Sequence, residues 1–200
     1  MIAPVLALTL FVVFAALGFG WRSWQQRRRT GSTGFKGISG TPLSAEWLAG
    51  VGFIAAMATA VVAPTLQLAG LVRPLVESSA LLVAGVVIAV AGIAATLYAQ
   101  VDMGESWRIG VDASETTTLV RRGVFGVVRN PIFTAMLVFG FGLMLITPNA
   151  VAVAGFLLLL ATIEAQVRIV EEPYLLTTHG EDYRDYLATV GRFVPGVGRR

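Results

Sequence analysis

A chain of 200 residues that is 56% hydrophobic and only 14% charged, with a mean hydropathy of +0.75, is not an ordinary soluble domain, where about a quarter of residues carry charge. It contains no cysteine and a single histidine, His179, which excludes disulfides and cysteine nucleophiles and leaves no basis for a Cys- or His-ligated metal. The net charge of +3 is informative only when the basic residues are assigned to segments.

The apolar residues gather in long runs, the pattern of membrane-spanning helices. The first run extends from Ile2 to Gly20. No Lys or Arg precedes it, and Arg22, Arg27, Arg28 and Arg29 follow it. A cleaved leader has the reverse layout, so a retained helix is expected, with its N-terminus outside. Trp21 and Trp24 suit the interfacial aromatic belt. Residues 21–42 read as a basic cytoplasmic linker, rich in Gly, Ser and Thr from position 25. Its Arg27–Arg29 run is a topology determinant able to touch anionic headgroups.

The second run, Leu43 to Ala69, contains Pro64, which spanning helices tolerate. The third covers Leu75 to Tyr98. Residues 99–131 form a mixed, charged loop, in which Trp107, Ile109, Val111, Leu119, Val120, Val124 and Phe125 could pack as a cap. A fourth run, Ile132 to Thr147, is short for a full span. The turn signal Pro148-Asn149 separates it from a fifth, Ala150 to Val167. Whether or not this hairpin crosses fully, both its ends return to one side.

The expected fold is therefore all-α and polytopic, with about five transmembrane helices. Residues 1–98 supply three of them, and 99–200 form the catalytic part: loop, hairpin and C-terminal tail. Of the fifteen Lys and Arg residues, Arg73 alone falls on the far side of this arrangement. The positive-inside rule makes the populated side cytoplasmic, in a plasma membrane of bacterial type.

Polar residues cluster in the last third. Glu164, Arg168 and Glu171 are spaced by four and three, which predicts one helical face. Pro173 then predicts a helix break beside Glu171 and Glu172. Asn130-Pro131 is a helix start, with Asn as cap and Pro at the first position. Beside Arg129, that helix N-terminus could also receive a carboxylate or phosphate. Tyr183, Tyr186, Leu187 and Val190 fall on one face of a short tail helix.

In order, the motifs are Leu119-Val120, Gly123-Val124-Phe125, Arg129-Asn130-Pro131-Ile132-Phe133, Glu171-Glu172-Pro173-Tyr174-Leu175, Gly180-x-x-Tyr183-x-x-Tyr186 and Arg192-Phe193-Val194-Pro195. From about Thr116 to Pro195 the chain resembles the isoprenylcysteine carboxyl methyltransferase family, within the wider group that includes phospholipid N-methyltransferases. The resemblance implies S-adenosylmethionine as methyl donor, bound on the cytoplasmic side. It implies that Thr118, Leu119, Val120, Phe125, Asn130, Pro131, Ile132, Phe133 and Glu172 contact it, with Asp112 near a further polar contact. It places Arg129, Arg168 and Glu171 at the catalytic, acceptor end. Asn130 stands where the family has His and keeps a donor that does not titrate near neutral pH. Phe133 stands for Tyr and lacks its hydroxyl.

The implied reaction transfers methyl to a lipophilic small-molecule or lipidated acceptor, with membrane lipid as neighbour and no nucleic-acid partner. The acceptor group is either the carboxylate of a prenylcysteine-like or other lipid, or the amine of a phospholipid. An NADPH-dependent reductase of the sterol type and a non-enzymatic membrane protein are the competing readings.

Overall fold

The computed structural model describes residues 1–35, 37–108 and 118–200; the Asp112, Ile109 and Val111 expectations lie outside them. The described residues form an all-helical bundle. Helix α1 spans Ile2–Thr30, α2 Ala45–Leu68, α3 Ser79–Ser106, α4 Pro131–Ile146, α5 Ala150–His179 and α6 Glu181–Thr189. Helices α1, α2, α3 and α5 are long and apolar enough to cross a membrane. At 16 residues, α4 is shorter; a rise of 1.5 Å per residue makes it about 24 Å long.

Local chemistry accounts for the helix starts. Ser44, Ser78 and Asn149 each accept a hydrogen bond from the backbone N–H three residues on, at 3.2, 3.4 and 2.9 Å. Asn149 also ties the α4–α5 turn to the end of α2. Its Nδ2 donates to Ala63 O at 3.3 Å and to Gln67 Oε1 at 2.9 Å.

Two antiparallel helix pairs build the core through small residues. On α3 and α4, a Cβ added to Gly92 would lie 2.5 Å from Phe139 N, and one on Gly142 2.5 Å from Ala89 N. On α2 and α5, Gly155 faces Thr59 and Gly52 faces Thr162. Such contacts bring backbones together where lipid supplies no hydrophobic drive. Helix α1 packs on the first pair, with Phe14 stacked on Phe139 at 4.2 Å between ring centroids.

Two expectations change. Helix α1 continues through Arg22–Thr30, so the segment between the first two helices begins at Gly31, not at residue 21. Arg and Gln are good helix formers, and Arg22 is drawn into the bundle. Its Nη1 donates to Gln25, and its Nη2 to the backbone oxygens of Gln100 (3.2 Å) and Gly104 at the end of α3. Nor does α5 break at Pro173. It widens into a π-helical stretch, Gln166–Glu171, and resumes as α-helix over Glu172–His179. Pro173 falls at the start of the resumed helix, where its missing N–H is tolerated.

Candidate active site

At the end of the bundle where α1, α3 and α5 finish and α4 begins, a cavity of about 580 Å³ opens among the helices. Its volume suits a small-molecule site. One wall is polar-ended: Thr118, Leu119 and Val120, the first turn of α4, and Tyr183 and Tyr186 of α6. The other is apolar and formed by spanning helices, with Phe19 from α1, Phe53 and Ile54 from α2 and Met136 from α4.

Ten of the expected site residues line it: Thr118, Leu119, Val120, Phe125, Arg129, Asn130, Pro131, Ile132, Phe133 and Glu171. Asn130 sits at the N-cap of α4, yet its side chain makes no cap bond. Its Nδ2 turns to the tail and donates to Arg192 O at 3.2 Å. The first turn of α4 thus keeps N–H groups unclaimed by any side-chain cap, with the helix dipole behind them.

Glu172 and Arg168 do not line the cavity. Glu172 lies behind its wall, 2% exposed. Arg129 Nη2 reaches Glu172 Oε1 at 3.1 Å, and Arg192 grips both oxygens, Nε to Oε1 at 2.7 Å and Nη2 to Oε2 at 3.0 Å. The bond to Glu172 holds the Arg192 guanidinium above its ordinary pKa. Arg129 also donates to the backbone oxygens of Leu187, Val190 and Gly198. Glu172 thus locks α4 to the tail: where a cofactor contact was expected, three arginines surround it, with Arg200 at 3.6 Å.

The Arg168 side chain, 48% exposed, pairs with Glu164 at 2.5 Å. The predicted single face of Glu164, Arg168 and Glu171 is lost because the π stretch carries Glu171 inward. Bonding from i to i+5 winds more residues into a turn, so the 3.6-residue period stops applying there.

The tail completes the site. Arg129 N donates to Gly191 O at 2.8 Å and Asn130 N to Arg192 O at 3.1 Å, while Thr134 Oγ1 bonds Phe193 O at 3.0 Å. Tyr183, Tyr186 and Leu187 are buried against Leu119, Leu175 and Leu176. Burial pushes the Tyr186 hydroxyl up to about 12, so it stays protonated and donates to Phe125 O.

Sequence reasoning missed Phe19, Phe53, Gln100, Trp107, Arg108 and Tyr174, all on the cavity wall. The cavity wall therefore draws on residues ahead of 99–200 as well. Trp107-Arg108 carried a signal: a buried-type aromatic beside a charge at the end of an apolar run.

A family model described as phospholipid methyltransferase matches residues 80–182, over half of the chain. The chain belongs to this family. As a phospholipid methyltransferase family member it is an integral membrane protein, with apolar helices to match. Among solved structures, it is similar to the eukaryotic intramembrane Ras methyltransferase, an isoprenylcysteine carboxyl methyltransferase, with a TM-score of 0.65 and 19% identity. The likeness covers 96% of this chain and 66% of that one, so the chain spans just under two thirds of its neighbour's length; at this identity the shared property is the fold. No curated protein matches the sequence.

Proposed function

We propose that this protein transfers methyl from S-adenosylmethionine to a lipophilic acceptor, and that the reacting group is the carboxylate of a prenylcysteine-like or other lipid. The observation that carries this reading is the continuity of the cavity. Its polar wall at the head of α4 runs without a break into the apolar wall of Phe19, Phe53, Ile54 and Met136 on spanning helices.

The residues present fit the methyl donor. A molecule with a carboxylate, an amino group, a sulfonium and an adenine ring needs donors, an acidic group and flat apolar surfaces together. The first turn of α4, Glu171 and the rings of Phe125, Tyr174 and Tyr183 supply these around one space. When bound, S-adenosylmethionine supplies a methyl on a positively charged sulfur that leaves as a neutral thioether. The protein then has to align the acceptor and exclude water. Thr118, Leu119, Val120, Phe125 and Asn130–Phe133 take the donor side, and Glu171 stands where donor and acceptor meet. Arg129 positions the head of α4, and Glu172 positions Arg129. Arg168 stays outside. The site faces the cytoplasm and the N-terminus lies outside, because Arg73 is the one basic side chain at the opposite end among the described residues.

A carboxylate acceptor is already ionised and needs a cation rather than a base. An amine acceptor needs a proton acceptor. The family match and the place of Glu171 on the wall make a phospholipid amine the second reading, compatible with the same cavity.

The test is calorimetry of S-adenosylmethionine and S-adenosylhomocysteine on detergent-purified protein. It is followed by transfer of labelled methyl to N-acetyl-S-farnesylcysteine or to phosphatidylethanolamine. Micromolar binding is expected, with transfer to one acceptor; no binding of either compound at millimolar concentration removes the methyltransferase reading.

A further inference from the structure

Arg108 follows the last turn of α3 and is anchored by its neighbour. Trp107 is 3% exposed, lies under the Arg22 guanidinium at 4.9 Å and is pressed by Gly34, where an added Cβ would come within 3.0 Å of the ring. The backbone leading to Arg108 is thus held from two sides. Beyond it, the Arg108 guanidinium lies over the Tyr174 ring of α5, 4.9 Å from the centroid. Arg108, Tyr174 and Glu171 all line the cavity.

Other arginines at this end have partners: Arg129 and Arg192 hold Glu172, Arg121 holds Asp182, Arg168 holds Glu164 and Arg184 holds Glu181. Arg108 Nη1 is buried and makes no hydrogen bond to a described residue. No ion pair joins Arg108 to another described residue, although Glu171 is near enough for the two charges to attract. A guanidinium N–H withdrawn from water without an acceptor is unfavourable. Stacking on a ring fixes its plane and leaves its in-plane donors free for a planar anion.

We infer that Arg108 is a binding residue for the anionic group, a carboxylate or phosphate oxyanion, of a molecule held in the cavity, with Tyr174 fixing its plane. The inference deepens the proposed function and rests on it for the identity of that molecule. The anion belongs either to the methyl donor, as its amino-acid carboxylate, or to the acceptor, as a lipid carboxylate or phosphate.

Arg108→Gln and Arg108→Lys in the full chain separate these sources. If the anion is the donor's, Arg108→Gln weakens S-adenosylhomocysteine binding by roughly 10- to 100-fold. Arg108→Lys, which keeps charge but not the fork, falls between, and decarboxylated S-adenosylmethionine binds wild type and Arg108→Gln alike. If the anion is the acceptor's, S-adenosylhomocysteine binds unchanged and the acceptor KM rises by a similar factor with kcat retained. Binding and KM both within about twofold of wild type, in variants that melt normally, overturn the inference. Should wild type neither bind the donor nor methylate, the proposed function fails first. Pyrophosphate then decides: it raises the wild-type Tm, that of Arg108→Lys less and that of Arg108→Gln not at all if the inference holds, and raises all three equally if it does not.

Discussion

Arg129, one residue ahead of the N-cap of α4, and Glu172, 43 positions later in α5, meet at 3.1 Å with side chains 1% and 3% exposed. Neither charge has water to turn to: Arg129 depends on Glu172 and the tail carbonyls, and Glu172 on Arg129 and Arg192. A motif that reads as a run of site residues is thus divided by geometry. Asn130 to Phe133 face the cavity, while Arg129 points its guanidinium at Glu172 and the tail carbonyls.

Glu172→Gln is therefore expected to act on stability. Breaking one side of a buried ion cluster leaves arginines without their counter-charge, a loss of about 3–5 kcal/mol. Thermal unfolding in detergent reads this as a lowered Tm, and a saturating ligand recovers part of the loss by mass action. An unchanged Tm with lost donor binding would return Glu172 to the contact surface.

Glu171→Gln is expected to do the opposite. The side chain faces the cavity and holds no ion pair in contact among the described residues, so the fold should melt within about 1 kcal/mol of wild type. Turnover should fall on the order of 100-fold or more if Glu171 handles a proton or orients the acceptor. Normal methylation by this variant removes Glu171 from the site.

Arg168→Ala tests the consequence of the π stretch. The Arg168–Glu164 pair is half exposed and contributes at most about 1 kcal/mol. Both kcat/KM and Tm should stay near wild type. A large rise in acceptor KM would place Arg168 at the entrance to the cavity after all.

Gly92→Leu should stop the bundle from forming. The 2.5 Å approach of a Gly92 Cβ to Phe139 N leaves no space for any side chain, and backbone, not a flexible tip, is what it meets. Even one added methyl costs about 1–3 kcal/mol in a packed core, so Gly92→Ala should lower the Tm and reduce the monodisperse fraction on size exclusion.

Hydropathy located every long helix, because burial in lipid leaves an unbroken apolar run whatever the packing. It did not show that α1 continues through Arg22–Thr30: a polar helix held by hydrogen bonds to another helix's end has no apolar signal. The ordered motifs from Leu119 to Tyr186 brought ten cavity residues into view. Glu171 and Glu172 are neighbours in sequence, but in a helix their side chains point about 100° apart, and of the two Glu171 lines the cavity. The shared face of Arg168 and Glu171 was lost because the 3.6-residue period was carried across a stretch that does not obey it. Phe19 and Phe53 were invisible as site residues, since an apolar side chain facing a cavity and one facing lipid have the same composition.

The head of α4 is paired with Gly191 and Arg192 and bonded to Phe193, some sixty residues downstream. Chains are made and inserted from the N-terminus. The spanning helices can therefore be in the bilayer while this pocket still lacks a wall. Only when the segment around Gly191 clears the ribosome can Gly191 pair with the backbone at Arg129 and Arg192 reach Glu172. A chain stopped a few residues short of Gly191 would be a well-inserted bundle with an unfinished binding site, so competence follows membrane integration of the helices rather than arriving with it.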